Sequence, residues 1–314
     1  MEMDDSVLAE FEKEIEFMQR TRHTNIVRFF GAGFFPDGTP FLVEELMVEG
    51  SLKGFLRSPQ NRGLPWAQKV SFACDVARGM HHIHSLGHLH RDLKSGNVLV
   101  TSRRQAKVAD FGSIGRLLCH GKDGGRKQGR GGGRGRAGGG GVDIIANRPS
   151  GSSGGDSSSG SGASGCGGDL TVGVGTPLYM SLEMLRGAEY GQATDTWSFG
   201  VLLWELATQQ QPDLLAQEGK SGSRGPMLGM MLQLLEGGCR LRLGETCPFP
   251  EYPVLMESCW EAVPAERPRF GPVLKVLTGL LDAAADSTSS RGGADGGDGS
   301  RNGGGNEAFS KVRC

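Results

Sequence analysis

No stretch of the chain approaches the roughly 18 consecutive apolar residues a membrane-crossing helix needs, which argues against a transmembrane span. The first ten residues, MEMDDSVLAE, are acidic and lack the apolar core of a secretory leader. A formal net charge of −1 gives the molecule no overall bias toward nucleic acid or anionic membranes. Seven cysteines are scattered, odd in number and without a C-x-x-C pair. That excludes a secreted disulfide framework and reads as reduced thiols in a cytosolic or nuclear setting. The histidines His81, His82, His84 and His88 lack any standard zinc spacing.

Glycine is in excess, 53 of 314 residues against a usual share of roughly 7%. The excess sits in two tracts. Residues 117–169 are dominated by Gly, Ser and Arg, and residues 283–314 by Gly, Asp and Ser. Neither carries enough apolar side chains to offset the entropy of ordering, so both are expected to be disordered. The first tract has an RGG-like part that could contact RNA through arginine, but a flexible insertion without a partner is the simpler reading. Its many serines are candidate phosphorylation sites.

The rest reads as ordinary globular chain. Leu8, Phe11, Ile15 and Met18 recur at helical spacing and predict a helix over 4–20. Two apolar stretches, 26–35 and 41–47, flank Pro36-Asp37-Gly38-Thr39, a turn signal, and predict a strand pair. A short helix is expected from Leu52 to Arg57 and an amphipathic one over 65–84, where Trp66, Val70, Ala73, Ala77, Met80 and Ile83 line one face. Residues 195–207, DTWSFGVLLWELA, are apolar on nearly all faces and predict a buried central helix. Residues 209–226 read as a polar loop, followed by helices over 227–235, 252–260 and 270–281.

The chemistry concentrates in residues 88–100, HLHRDLKSGNVLV, followed by Asp110-Phe111-Gly112. An H-R-D-L-x-x-x-N run with D-F-G shortly after it resembles the catalytic and metal loops of a protein kinase. Gly175-Thr176-Pro177-Leu178-Tyr179-Met180-Ser181-Leu182-Glu183 is similar to that family's substrate loop, with Ser181 and Leu182 replacing Ala and Pro of its A-P-E signature. The chain thus resembles a Ser/Thr protein kinase of the tyrosine-kinase-like group, which includes the Raf and plant CTR-type kinases.

The resemblance implies an α+β protein-kinase-like fold: a mainly helical C-lobe with a truncated N-lobe holding only the family's αC, β4 and β5. It divides the chain into an N-lobe remnant (4–47), a first C-lobe part (48–116), an activation-segment insertion (117–169), a second C-lobe part (170–282) and a tail (283–314). It implies transfer of the γ-phosphate of ATP, with Mg²⁺, to a protein Ser/Thr hydroxyl in signal transduction. Asp92 would accept the hydroxyl proton, Lys94 would sit beside the transferred phosphate, and Thr176 would bridge the two. Asn97 and Asp110 would hold Mg²⁺. Nucleotide binding falls to Glu45, Met47, Leu99 and Asp110, with Glu44 at the gatekeeper position. Glu14, His90, Arg91, Phe111, Gly112, Glu183, Asp195 and Arg267 take structural roles, Glu183 pairing with Arg267 and Asp195 holding the catalytic loop. A spine of Met18, Phe29, His90 and Phe111 would run through the core. An upstream kinase is an expected partner; nucleic acid is not.

The sequence departs from the family at one end. No G-x-G-x-x-G and no V-A-I-K lysine precede Glu14, so half of the ATP clamp is missing from this chain. Either the sequence is cut short at its N-terminal side or the protein is a degenerate kinase, and the alternative function is a pseudokinase or scaffold that acts by binding proteins.

Overall fold

The computed structural model describes residues 5–116, 176–220, 226–244 and 247–289. The expected insertion at 117–169 lies outside them, as does the tail from 290 onward.

Helix α1 (Asp5–Arg20) buries Phe17 and Met18 at its C-terminal end. It leads through Asn25 into the hairpin of β1 (Phe29–Phe34) and β2 (Pro40–Glu44). These pair antiparallel, with Phe34 opposite Pro40 and Phe29 opposite Glu44, and the register slips between Phe29 and Gly31. One face of the hairpin meets α1, where the rings of Phe11 and Phe34 lie edge to face at 5.9 Å. Phe30, Val43 and Leu46 are exposed, Leu46 at 87%.

Helix α2 (Leu52–Arg57) is capped by Ser51, whose hydroxyl accepts from the Gly54 amide at 3.2 Å. Then come α3 (Trp66–Ser85), β3 (His88–Leu89), β4 (Val98–Val100), β5 (Ala106–Val108) and β6 (Gly115–Arg116). Strands β4 and β5 form one antiparallel pair and β3 and β6 another. The remaining helices are α4 (Leu182–Leu185), α5 (Gln192–Thr208), α6 (Leu214–Gln217), α7 (Met227–Glu236), α8 (Glu251–Cys259) and α9 (Phe270–Ser289).

The core gathers around α5. Its residues 194–207 are all buried, as an apolar helix surrounded by other helices should be. It packs on α3 and α8, and α3 packs on α9. This is the α+β arrangement expected: a helical lobe carrying a small strand pair with one helix. Among the described residues, no helix is long and apolar enough to cross a membrane.

Two expectations need correction. The last helix does not stop at 281–282; α9 continues to Ser289, so residues 283–289 are helix and not tail. The alanines and the lack of Pro or Gly over 282–289 favour that continuation. The loop expected over 209–226 contains α6, whose first turn is capped by the Asp213 carboxylate accepting from the Ala216 amide at 2.9 Å. Asp-x-x before a short turn is the signal that marks it.

The α1–β1 connection is bolted to the helical lobe through Asn25. Its side-chain amide donates to Ala106 O at 3.1 Å, and its carbonyl accepts from the Val108 amide at 2.9 Å. Gly79 of α3 makes this approach feasible: a Cβ there would lie 2.6 Å from Asn25 O and 3.0 Å from Val108 Cγ2. Gly79→Ala is expected to lower stability by about 1–3 kcal/mol, despite alanine's better helix propensity. Urea denaturation measures it; an unchanged or raised midpoint would show that the lobes do not meet there.

Candidate active site

The site hangs from one buried carboxylate. Asp195, in the first turn of α5, accepts the His90 amide at 2.9 Å on Oδ2 and the Arg91 amide at 2.8 Å on Oδ1. His84 Nε2 of α3 meets Oδ2 at 2.7 Å. Burial works to raise its carboxyl, but the hydrogen bond and charge of His84, with His90, outweigh it and hold it below the ordinary range. These bonds hold Arg91 at φ 69°, a left-handed conformation that non-glycine residues rarely adopt. Asp110 also has a left-handed backbone, at φ 64°.

His90 is wholly buried and ties the catalytic loop to the next strand: its Nε2 lies 3.1 Å from Ala109 O. Its ring meets Phe111 at 5.5 Å, and Phe111 meets Phe17 at 4.9 Å. Met18 and Phe29 belong to the same core, but Phe17, one position from the expected Met18, makes the ring contact. Helical spacing alone does not separate two adjacent apolar residues that both turn inward.

Asp92 follows on the loop. Its Oδ2 accepts Lys94 Nζ at 2.6 Å and Asn97 Nδ2 at 2.8 Å, and its backbone carbonyl also accepts from Asn97 at 2.9 Å. The other carboxylate oxygen has no protein partner among the described residues, so it is left to accept a proton. Asn97 donates through its amide nitrogen, which leaves its side-chain oxygen free. Its backbone oxygen accepts the Ala109 amide at 2.9 Å, joining it to the turn that carries Asp110. Asp110 forms no hydrogen bond or ion pair among the described residues. Two unpaired hard oxygens on adjoining loops fit Mg²⁺, which takes one or two protein carboxylate-type ligands and fills the rest from phosphate and water.

Above this floor the balance of charge shifts. Glu14 of α1 accepts a backbone hydrogen bond from Phe111, and a Cβ on Gly112 would lie 3.7 Å from Glu14 Oε2 and 3.6 Å from Asp110 Oδ1. Burial raises the Glu14 carboxyl, and the Asp110 charge raises it further; Glu44 is raised by burial and then by Asp110. Three carboxylates thus influence one another with no cationic partner for any of them among the described residues.

Met47 packs with Val27, Ala109 and the partly buried Leu99, so two of the expected nucleotide-binding residues share one small apolar patch. Glu45 is engaged differently: its side chain accepts Lys107 Nζ at 2.6 Å and the Arg28 amide at 2.8 Å. Lys107 lies between buried Ala106 and Val108 on β5, an alternation that turns it outward without naming Glu45 as its partner.

The substrate-loop segment begins at the turn Thr176–Tyr179; the Thr176 side chain lies outside the described residues. Ser181 Oγ lies 2.7 Å from Thr194 Oγ1, which donates to Glu183 at 3.1 Å, while Leu182 fills the core. Glu183 and Arg267 form a buried fork, Nη1–Oε1 2.6 Å and Nη2–Oε2 2.9 Å. Tyr179 donates to the buried Glu205 of α5, which also accepts Arg57 Nη2 at 2.8 Å. The sequence analysis did not single out that node. The histidines serve the fold: His82 stacks on His23 at 4.9 Å, and His84 holds Asp195. Burial pushes the Cys74 and Cys259 thiols up to about 11 and about 12, so neither is a nucleophile at neutral pH.

Residues 1–130 and 172–277 match the model of the protein tyrosine and serine/threonine kinase family. The gap between the matched segments, residues 131–171, covers most of the glycine-rich tract. The chain is 29% identical over 278 residues to a probable LIM domain-containing serine/threonine-protein kinase of Dictyostelium discoideum, covering 88% of this chain and 34% of that protein. It is 30% identical to serine/threonine-protein kinase CTR1 of Arabidopsis thaliana, over 88% of this chain and 27% of that protein. It is 32% identical to tyrosine-protein kinase Srms of Homo sapiens, over 86% of this chain and 44% of that protein. The chain belongs to the protein kinase family, and it spans less than half the length of each of these three relatives.

Burial raises the Glu183 carboxyl, but Arg267's hydrogen bonds and charge outweigh it and hold the group below its ordinary 4.5. A depressed folded value means the pair's contribution is complete above that ordinary value and is lost as pH falls through the folded one. Arg267→Met is expected to cost about 3–5 kcal/mol at neutral pH, since it strands a buried charge, and Glu183→Leu with Arg267→Met should cost less than Arg267→Met alone. Glu183→Gln should flatten the acid limb of stability below about pH 4.5. Denaturant melts across pH 3–7 measure all three; an unchanged acid limb would remove Glu183 from the linkage.

Proposed function

We propose that the chain is the catalytic-loop-bearing part of a protein serine/threonine kinase, transferring the γ-phosphate of ATP to a Ser/Thr hydroxyl of a signalling protein. The observation that carries this reading is the Asp92–Lys94–Asn97 cluster, set beside an unpaired Asp110. Asp92's free oxygen accepts the proton as the substrate oxygen bonds to phosphorus and the bond to the departing diphosphate breaks. Lys94, held at 2.6 Å from Asp92, keeps a positive charge where negative charge builds on the transferred group. Asn97 and Asp110 would hold Mg²⁺, which when bound would neutralise phosphate charge. Lys94 and the Ser/Thr kinases among the relatives support Ser/Thr over Tyr as acceptor.

The carboxylates Glu14 and Glu44 favour a second reading for this chain by itself. Facing Asp110 without a lysine, they oppose the phosphates that a kinase has to admit. Positioning and charge stabilisation supply nearly all the rate in phosphoryl transfer. The chain as given is therefore expected to incorporate phosphate into a generic Ser/Thr substrate orders of magnitude more slowly than the same chain preceded by a glycine-rich loop and a lysine-bearing strand. In the extended chain, Asp92→Asn should cost roughly 10²–10⁴-fold, the usual share of a general base. Rapid turnover by the short chain would defeat the missing-clamp argument. A folded extended chain without turnover would favour the scaffold.

A further inference from the structure

Away from the active site, a cleft of about 530 Å³ opens where the end of α2, the start of α3 and the end of α5 converge. Three cations line it, Arg57, Arg62 and Lys69, and none of its described lining residues is acidic. Among the described residues, Glu205, which is 1% exposed, accepts from Arg57 Nη2 and from Tyr179, and neither Arg62 nor Lys69 has a carboxylate partner.

The donors are underused. Lys69 is only 7% exposed, and its ammonium spends one of three hydrogens on Ala207 O, at 2.6 Å. Burial lowers its affinity for the proton, as a cation without a carboxylate partner requires. Arg57 has two buried guanidinium nitrogens, Nε and Nη1, with no acceptor. Arg62 makes no side-chain hydrogen bond or ion pair among the described residues, and its backbone amide is held by Pro59 O at 3.4 Å. A forked guanidinium beside an ammonium, set in a recess whose lining also offers Thr208, Gln209 and Gln210, matches a compact dianion.

The walls decide what carries the anion. Trp66 is the one aromatic residue in the described lining, and its ring is taken: Lys69 Nζ sits over it at 4.8 Å, and Tyr252 packs edge-on at 5.2 Å. Among the described lining residues, no second aromatic ring is available to clasp a nucleobase. The volume suits a side chain with its neighbouring residues.

We propose that this cleft binds a phosphate monoester carried on a serine or threonine of a protein segment. The assignment does not depend on turnover by the chain. It holds whether the chain transfers phosphate or acts as a scaffold, so its failure and the failure of the kinase reading are separable.

The test is calorimetric titration of the full chain with a neutral pentapeptide carrying one phosphoserine, and with its unphosphorylated twin. The phosphopeptide should bind at least ten-fold tighter, and inorganic phosphate should displace it. Arg62→Glu should weaken phosphopeptide binding ten-fold or more, whereas Arg62→Lys should weaken it only a few-fold. Arg62 is exposed, with no side-chain bond to lose, so both variants should keep the parent's circular dichroism and melting temperature. Equal affinity for the two peptides, or an Arg62→Glu chain that binds normally, would overturn the proposal. Adenosine monophosphate displacing the peptide ten-fold better than inorganic phosphate would overturn the protein source of the anion.

Discussion

Everything the chain can do chemically depends on the Asp195 carboxylate, buried to 0% exposure at the start of the central helix. A carboxylate in such a place is costly unless every oxygen is satisfied. Here the satisfaction comes from the backbone of the catalytic loop: the His90 and Arg91 amides, with His84 closing the set. The helix N-terminus adds its favourable dipole. The exchange is mutual. The loop neutralises a charge the core could not otherwise hold, and the core holds Arg91 in a backbone conformation the loop could not keep alone. Asp92 then stands at a set place, where Lys94 and Asn97 can reach it.

The lower half of the site is assembled by such reciprocal bonds, and the upper half is not. Below, cations and carboxylates pair, Lys94 with Asp92 and Arg267 with Glu183, and Lys107 reaches across to Glu45. Above, burial and the Asp110 charge raise the carboxyls of Glu14 and Glu44, and none of the described residues offers either a cation. Glu44, half-buried beside Asp110, adds to that imbalance. The same separation appears in packing. The helical lobe closes around α5, whereas the hairpin of β1 and β2 leaves Phe30, Val43 and Leu46 exposed.

Much of this was legible in the sequence, because each signal was chemical or strongly periodic. The run from His90 to Asn97 with Asp110 led to a family the comparisons establish, and the all-apolar pattern of α5 marked the helix at the centre. What the sequence left hidden depends on distant groups meeting. Nothing near Lys107 announces that it reaches Glu45. Nothing near Arg57 announces Glu205, 148 positions away. His84 reads as one histidine in a cluster of four, and only the fold brings it to Asp195. Helix ends were also poorly marked: α9 runs past Leu281 because alanines neither cap nor break a helix.

The account's central claim is that Asp195 makes the catalytic loop part of the rigid core. Native-state amide hydrogen exchange measures this directly at His90 and Arg91. Their amides are expected to exchange as slowly as those of Leu202 and Leu203 in α5, through global unfolding, and Asp195→Asn should release them selectively. Exchange at the rate of an exposed loop in the unaltered chain would contradict the claim.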